Sequence, residues 1–158
     1  MVHAIDRVDP TGEIVSKLTG PAPGSGSYVA TFWLKVPLSS GNANAFAVAL
    51  QNPFDIDLIV VRAVLDITTA GGTATSVIDV DVVDAATDTG DDIFDGADAN
   101  AAAVSDSLNA TDNGTNGEGK SWKWDKSGGT NDHVTAKILV ANAASLAGNL
   151  YLQCLPAD

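Results

Sequence analysis

The chain has 158 residues, enough for one domain with a substantial core and short for two. Apolar residues make up 45% of it, which excludes a disordered polyanion, and a formal charge of −12 sets it against DNA, RNA and anionic membranes, whose like charge repels it. The most apolar run, Leu58-Ile-Val-Val-Arg-Ala-Val-Leu65, is too short to span a bilayer and contains Arg62.

The N-terminus, Met1-Val-His-Ala-Ile-Asp-Arg7, lacks the basic start and apolar stretch of a secretory signal, so assembly in a host cytoplasm, or prior removal of a leader, is expected. Residues 1–27 form an expected N-terminal arm and joint, punctuated by Asp9-Pro10-Thr-Gly12 and Gly20-Pro-Ala-Pro-Gly-Ser-Gly26. The arm carries Val2, Ile5, Val8, Ile14, Val15 and Leu18, more aliphatic side chains than a purely solvated tail needs. A bland tail is the competing reading.

From residue 28 to 158 the pattern is that of an antiparallel β-sandwich, read as a jelly roll. Tyr28–Val36 places Tyr28, Ala30, Phe32, Leu34 and Val36 on one face and Thr31, Trp33 and Lys35 on the other. Ala45–Gln51 alternates Phe46, Val48 and Leu50 with alanines. Asp57–Thr68 sets Ile59, Val61, Ala63, Leu65 and Ile67 inward, with Arg62 and Asp66 opposite. Ser76–Val83 sets Ile78, Val80 and Val82 inward, with Asp79 and Asp81 outward. His133–Val140 sets Val134, Ala136, Ile138 and Val140 inward, and Gly148–Leu155 sets Leu150, Leu152 and Cys154 inward. A period of two is the mark of a half-buried strand. Turn signals at Ser39–Asn42, Asn52-Pro53, Ala70–Gly72, Gly128-Gly129 and Ala147-Gly148 separate the runs.

Between Asp79 and Asp112 lie ten aspartates and no lysine or arginine. Most fall in an expected polar excursion over about residues 84–120, in which Asp98–Leu108 is the best candidate for a turn or two of helix. Asp91-Asp-Ile-Phe-Asp95-Gly96-Ala-Asp98 has a glycine after an aspartate, as calcium loops do. With Gly96 at the sixth position, however, the third is Ile93 and the twelfth Ala102, so the EF-hand register fails. A solvated acidic loop is favoured over a calcium site built on Asp91, Asp95 and Asp98. No metal and no other cofactor is expected. Zinc lacks ligands, with one cysteine and two distant histidines.

Trp122-Lys-Trp124 places two indoles on one strand face, either as a cap on the core or, with Trp33, as an aromatic surface for sugar rings. Lys120, Lys123 and Lys126 surround them and could pair with the acidic block. Cys154 reads as a packed core residue, because one cysteine forms no internal disulfide. Catalysis finds little footing. Asp132-His133 is a conceivable dyad, but no nucleophile-elbow glycine pattern accompanies it, and no catalytic residue is assigned. Asn109-Ala-Thr111 and Asn113-Gly-Thr115 match glycosylation sequons that read as incidental.

Several of these segments together resemble small head proteins of tailed bacteriophages. They are Gln51-Asn-Pro53 before a Val/Ile-rich strand, Asp91–Asp98, Gly114-Thr-Asn-Gly117 before the tryptophans, Gly128-Gly-Thr-Asn-Asp-His-Val-Thr-Ala136, and Ala147-Gly-Asn-Leu-Tyr-Leu152. The resemblance covers roughly residues 45–157 and rests on glycine and turn positions. It implies a non-enzymatic β-sandwich decoration or minor capsid protein, a homotrimer bound to the major capsid protein on the virion exterior. Ile5, Val8, Ile14, Val15 and Leu18 are the expected anchoring residues of the arm, by lattice contact or strand exchange. The alternative is a carbohydrate-binding or adhesive module using Trp33, Trp122 or Trp124.

Overall fold

A computed structural model describes residues 30–72, 75–109 and 120–157. Among them run nine strands and no helix: β1 (Phe32–Pro37), β2 (Phe46–Gln51), β3 (Leu58–Thr69), β4 (Val77–Val83), β5 (Phe94–Asp98), β6 (Ala103–Asp106), β7 (Trp122–Trp124), β8 (His133–Leu139) and β9 (Ala147–Pro156). They form two antiparallel sheets packed face to face, a β-sandwich. One sheet has the order β1-β9-β3, with β6 and β7 both on the far edge of β3; the other runs β2-β8-β4-β5. Pairing is nested, so that β1 meets β9, β2 meets β8 and β4 meets β5. The arm of residues 1–27, with Ile5, Val8, Ile14, Val15 and Leu18, lies outside the described residues, as do Tyr28 and Gly114–Gly117.

Alternating apolar residues built these strands, and their inward members make a single core. Leu58, Val60, Leu65, Ile78, Val80, Phe94, Trp124, Val134, Ile138, Leu150, Leu152 and Cys154 are all fully buried there. Each large side chain so buried contributes about 2 kcal/mol of hydrophobic stabilisation. The expected inward faces of β1, β8 and β9 hold within the strands: Phe32, Leu34 and Val36 pack on the core, and Val134, Ala136, Ile138, Leu150, Leu152 and Cys154 lie within it. Two expected inward residues beyond the strand ends do not: Ala30 is exposed ahead of β1, and Val140, with a φ of 67° just past β8, is 72% exposed.

β3 departs from the expected face. Val60 stands opposite Cys154 but Arg62 opposite Gln153, so β3 carries one extra residue at Val61. Such a bulge reverses the alternation. Leu58 and Val60 are therefore inward before it, and Ala63, Leu65 and Ile67 after it. Ile59 and Val61, expected inward, lie outside the core. A run apolar on both sides gives alternation nothing to read.

The excursion over residues 84–120 is not one loop. β5 pairs with β4, and β6 with β3. The helix expected within Asp98–Leu108 is replaced by β6, because edge pairing to β3 satisfies that backbone. Both β6 and β7 run antiparallel to β3, meeting Val64–Ile67 and Leu58–Val60 in turn, so they act as one edge strand interrupted after Asp106. Ser107 plugs the gap: its N–H donates to the Ala63 carbonyl, and its Oγ accepts the Ala63 N–H, each at 2.9 Å.

Candidate functional site

The acidic block divides by position. Asp79 and Asp81 stand on β4, Asp84, Asp88, Asp91 and Asp92 on the β4–β5 connection, Asp95 and Asp98 on β5, and Asp106 on the opposite sheet. Asp95 and Asp98 are exposed, and Asp98 Oδ1 accepts the Asn100 N–H at 2.7 Å. Among the described residues no group of three or more His, Cys, Asp or Glu gathers to hold a metal ion, so Asp91, Asp95 and Asp98 are not brought together. The Asp95-Gly96 pair has a different use. Ile78 opposes Ala97 while Val80 opposes Phe94, so β5 bulges at these two residues, and Gly96 takes a φ of 71° that favours glycine. The Gly96 N–H then donates to Asp79 Oδ1 at 2.8 Å.

Asp81 was expected to face solvent, but the β4–β5 connection closes over it. Its backbone lies in register with Thr135, itself buried, whose Oγ1 donates to the Asp88 carbonyl at 3.1 Å. Gly90 approaches so closely that a Cβ there would sit 1.9 Å from Asp81 Oδ2. Asp81 is only 9% exposed and accepts the Val82 N–H at 2.6 Å. Burial pushes its pKa up to about 6, with Asp92 and Asp91 nearby adding to the rise.

The two tryptophans of β7 present no aromatic surface. Trp122 and Trp124 are 8% and 0% exposed, and the Trp124 indole N–H donates to the Asp132 carbonyl at 2.9 Å. They cap the core because β7 opposes Leu58 and Val60, two of its central residues. Only Trp33 among the three is exposed, at 41%. Lys123 does not reach the acidic block. It pairs with Asp57 at 2.9 Å and Asp125 at 2.6 Å, both near its own strand end.

Asp132 and His133 do meet, at 2.5 Å from Oδ1 to Nδ1. The carboxylate is engaged elsewhere too: Oδ2 accepts from Gln51 Nε2 at 2.8 Å and from the Gly128 N–H at 2.7 Å. These bonds, Gln51 and Gly128 ahead of His133, hold its pKa below the ordinary aspartate value. Asn52 works beside it, donating to the carbonyls of Ile56, Trp124 and Asp125. The group thus ties the 125–132 turn to β2.

The outward face of the five-stranded sheet is the feature that alternation did not reveal. Cross-strand register lines up Trp33, Gln153 and Arg62 in one row, and Lys35, Tyr151, Val64 and Asp106 in the next. Pro37, Asn149, Asp66 and Val104 follow, and Leu155, Ile59 and Lys123 flank the first row. Val104 is 67% exposed, while Ile59, Val64, Tyr151 and Leu155 are half-buried yet outside the core. Arg62 grips Asp106 with two nitrogens, Nε to Oδ1 being 3.0 Å, and its guanidinium sits 5.8 Å from the Trp33 ring centre. Lys35 Nζ lies 5.9 Å from the Tyr151 ring centre. The Arg62 pairing lowers the Asp106 pKa and raises its own. The other sheet has a single cation on its strands, Lys137. The sandwich therefore has two unlike sides, one acidic and one that mixes apolar residues with charges of both signs.

Comparison of the chain with models of known protein families, with curated proteins and with solved structures finds no match.

Proposed function

We propose that this chain is a non-enzymatic structural protein of a phage virion, binding the major capsid protein lattice from outside as a homotrimer. The observation that carries this reading is the two-sidedness of the sandwich. A protein that coats a particle needs one side suited to assembly and another that stays in solvent and discourages clumping. The apolar sheet face suits the first role, and the aspartates of β4, β5 and their connection suit the second. The nested strand pairing supports reading the sandwich as a jelly roll. The resemblance of residues 45–157 to small phage head proteins adds to it.

Anchoring is assigned to the arm, through Ile5, Val8, Ile14, Val15 and Leu18. A chain lacking residues 1–24 is expected to keep the melting temperature of the sandwich and to stop co-sedimenting with capsids. Undiminished occupancy by that variant contradicts the anchoring role. A second reading, a carbohydrate-binding module, rests on Trp33 alone among the tryptophans, beside the planar side chains of Gln153 and Arg62. A glycan array with wild-type and Trp33→Ala protein separates the two, since the virion reading predicts no glycan signal that depends on Trp33.

A further inference from the structure

We propose that copies of this chain meet through the outward face of the five-stranded sheet, around Trp33, Val64, Val104 and Tyr151. An antiparallel sheet with one face on the core ordinarily turns a polar face to water. This one turns out aliphatic and aromatic residues from four strands, with Trp33 and Val104 at 41% and 67% exposure. Single exposed apolar residues are common, but a contiguous group of them marks a contact surface.

Charge selects the occupant. On this face Arg62 is matched by Asp106, Lys123 lies between Asp57 and Asp125, and with Lys35 and Asp66 the local sum is a single negative charge. The chain as a whole carries −12, and its surplus of acid stands on the other sheet and the connection of β4 to β5. Two such chains repel one another over most of their surfaces, and least where local charge is nearly balanced and apolar area can leave water. A basic partner would instead be drawn to the acidic side. A sugar gains little from Val64 and Val104, which offer its hydroxyls no hydrogen bond, and Arg62 already stands over Trp33. The face fits another copy of this chain.

The contact deepens the homotrimer of the proposed function and rests on that reading, but it is measured on the purified full chain with no particle present, so a failure to self-associate and a failure to bind capsids are told apart. Sedimentation velocity over a range of concentrations is expected to show reversible association that strengthens as NaCl is raised, since salt screens the repulsion between acidic chains. Val104→Asp and Trp33→Asp, on different strands of the face, are each expected to weaken association by about tenfold or more, as for central contacts of an interface. Ala49→Asp, exposed on β2 of the other sheet, is expected to leave it unchanged. Thermal melts of the three variants establish that each folds. Because Trp122 and Trp124 are buried, acrylamide quenching of fluorescence reports on Trp33. Quenching is expected to increase on dilution of the wild type, and to be high at every concentration in Val104→Asp. A chain that stays monomeric at all concentrations and salt levels, or an oligomer indifferent to both substitutions, overturns the proposal.

Discussion

Asp81 keeps its carboxyl under the β4–β5 connection, with Asp91 and Asp92 close by, so ionising it in the folded chain is costly. Its folded pKa of about 6 lies above the ordinary aspartate value of 3.8. A group that holds its proton more tightly when folded stabilises the fold as pH falls through that interval. Stability is therefore expected to rise as pH drops from about 7 towards about 5, by roughly 1 kcal/mol. Asp81→Asn, which keeps an acceptor for the Val82 N–H, is expected to raise the melting temperature at neutral pH and to flatten this dependence. Melts of both proteins across that range check it, and an unchanged slope in the variant counts against a buried Asp81 charge. Asp57, Asp106, Asp125 and Asp132 act in the opposite sense, since their pKa values are lowered by the bonds they accept. Their contribution is present at neutral pH and lost as pH falls below about 4. Asp132→Ala removes the acceptor shared by Gln51, Gly128 and His133, at an expected cost of about 1–3 kcal/mol in denaturant melts.

Among the elements, β3 and β9 form the spine of the five-stranded sheet, and Gly148 fixes how the start of β9 meets the end of β3. A Cβ at Gly148 would lie 2.0 Å from the Asp66 carbonyl oxygen, a backbone atom that cannot step aside. Gly148→Ala is therefore expected to cost at least about 2 kcal/mol in chemical denaturation, and a neutral result contradicts the close approach of these two strands. β1, β8 and β9 were legible in the sequence because each pairs an apolar face with a polar one. β3 was legible as a strand, yet its bulge at Val61 was hidden, since either phase of Leu58–Val61 is apolar. β5 and β6 were not legible, because Asp, Gly and Ala are poor strand formers and only pairing with β4 and β3 makes them strands. The candidate face required knowing which strands stand side by side: Trp33, Arg62, Tyr151 and Val104 are far apart in the chain and become neighbours through register alone. Trp122 and Trp124 look like a surface in isolation, and their pairing with Leu58 and Val60 turns them into core.

At the scale of the molecule, the proposed function assigns the two sides of the sandwich two tasks that one surface could not combine. The acid of a −12 chain is concentrated on β4, β5 and their connection, while the sheet built on β1, β9, β3 and β6 turns out apolar residues among charges that nearly balance. Burial of Trp122 and Trp124 and the engagement of Asp132 by Gln51 and Gly128 assign structural work to groups that, in sequence, suggested ligands or chemistry. The central claim is that the chain is a component of the outside of a virion. The most direct measurement is immunogold labelling of intact, purified particles from infected cells that make the chain. The account predicts label over the surface of the capsids at many positions per particle. Particles that carry the major capsid protein but show no label, with the chain recovered only in the soluble fraction, would contradict it.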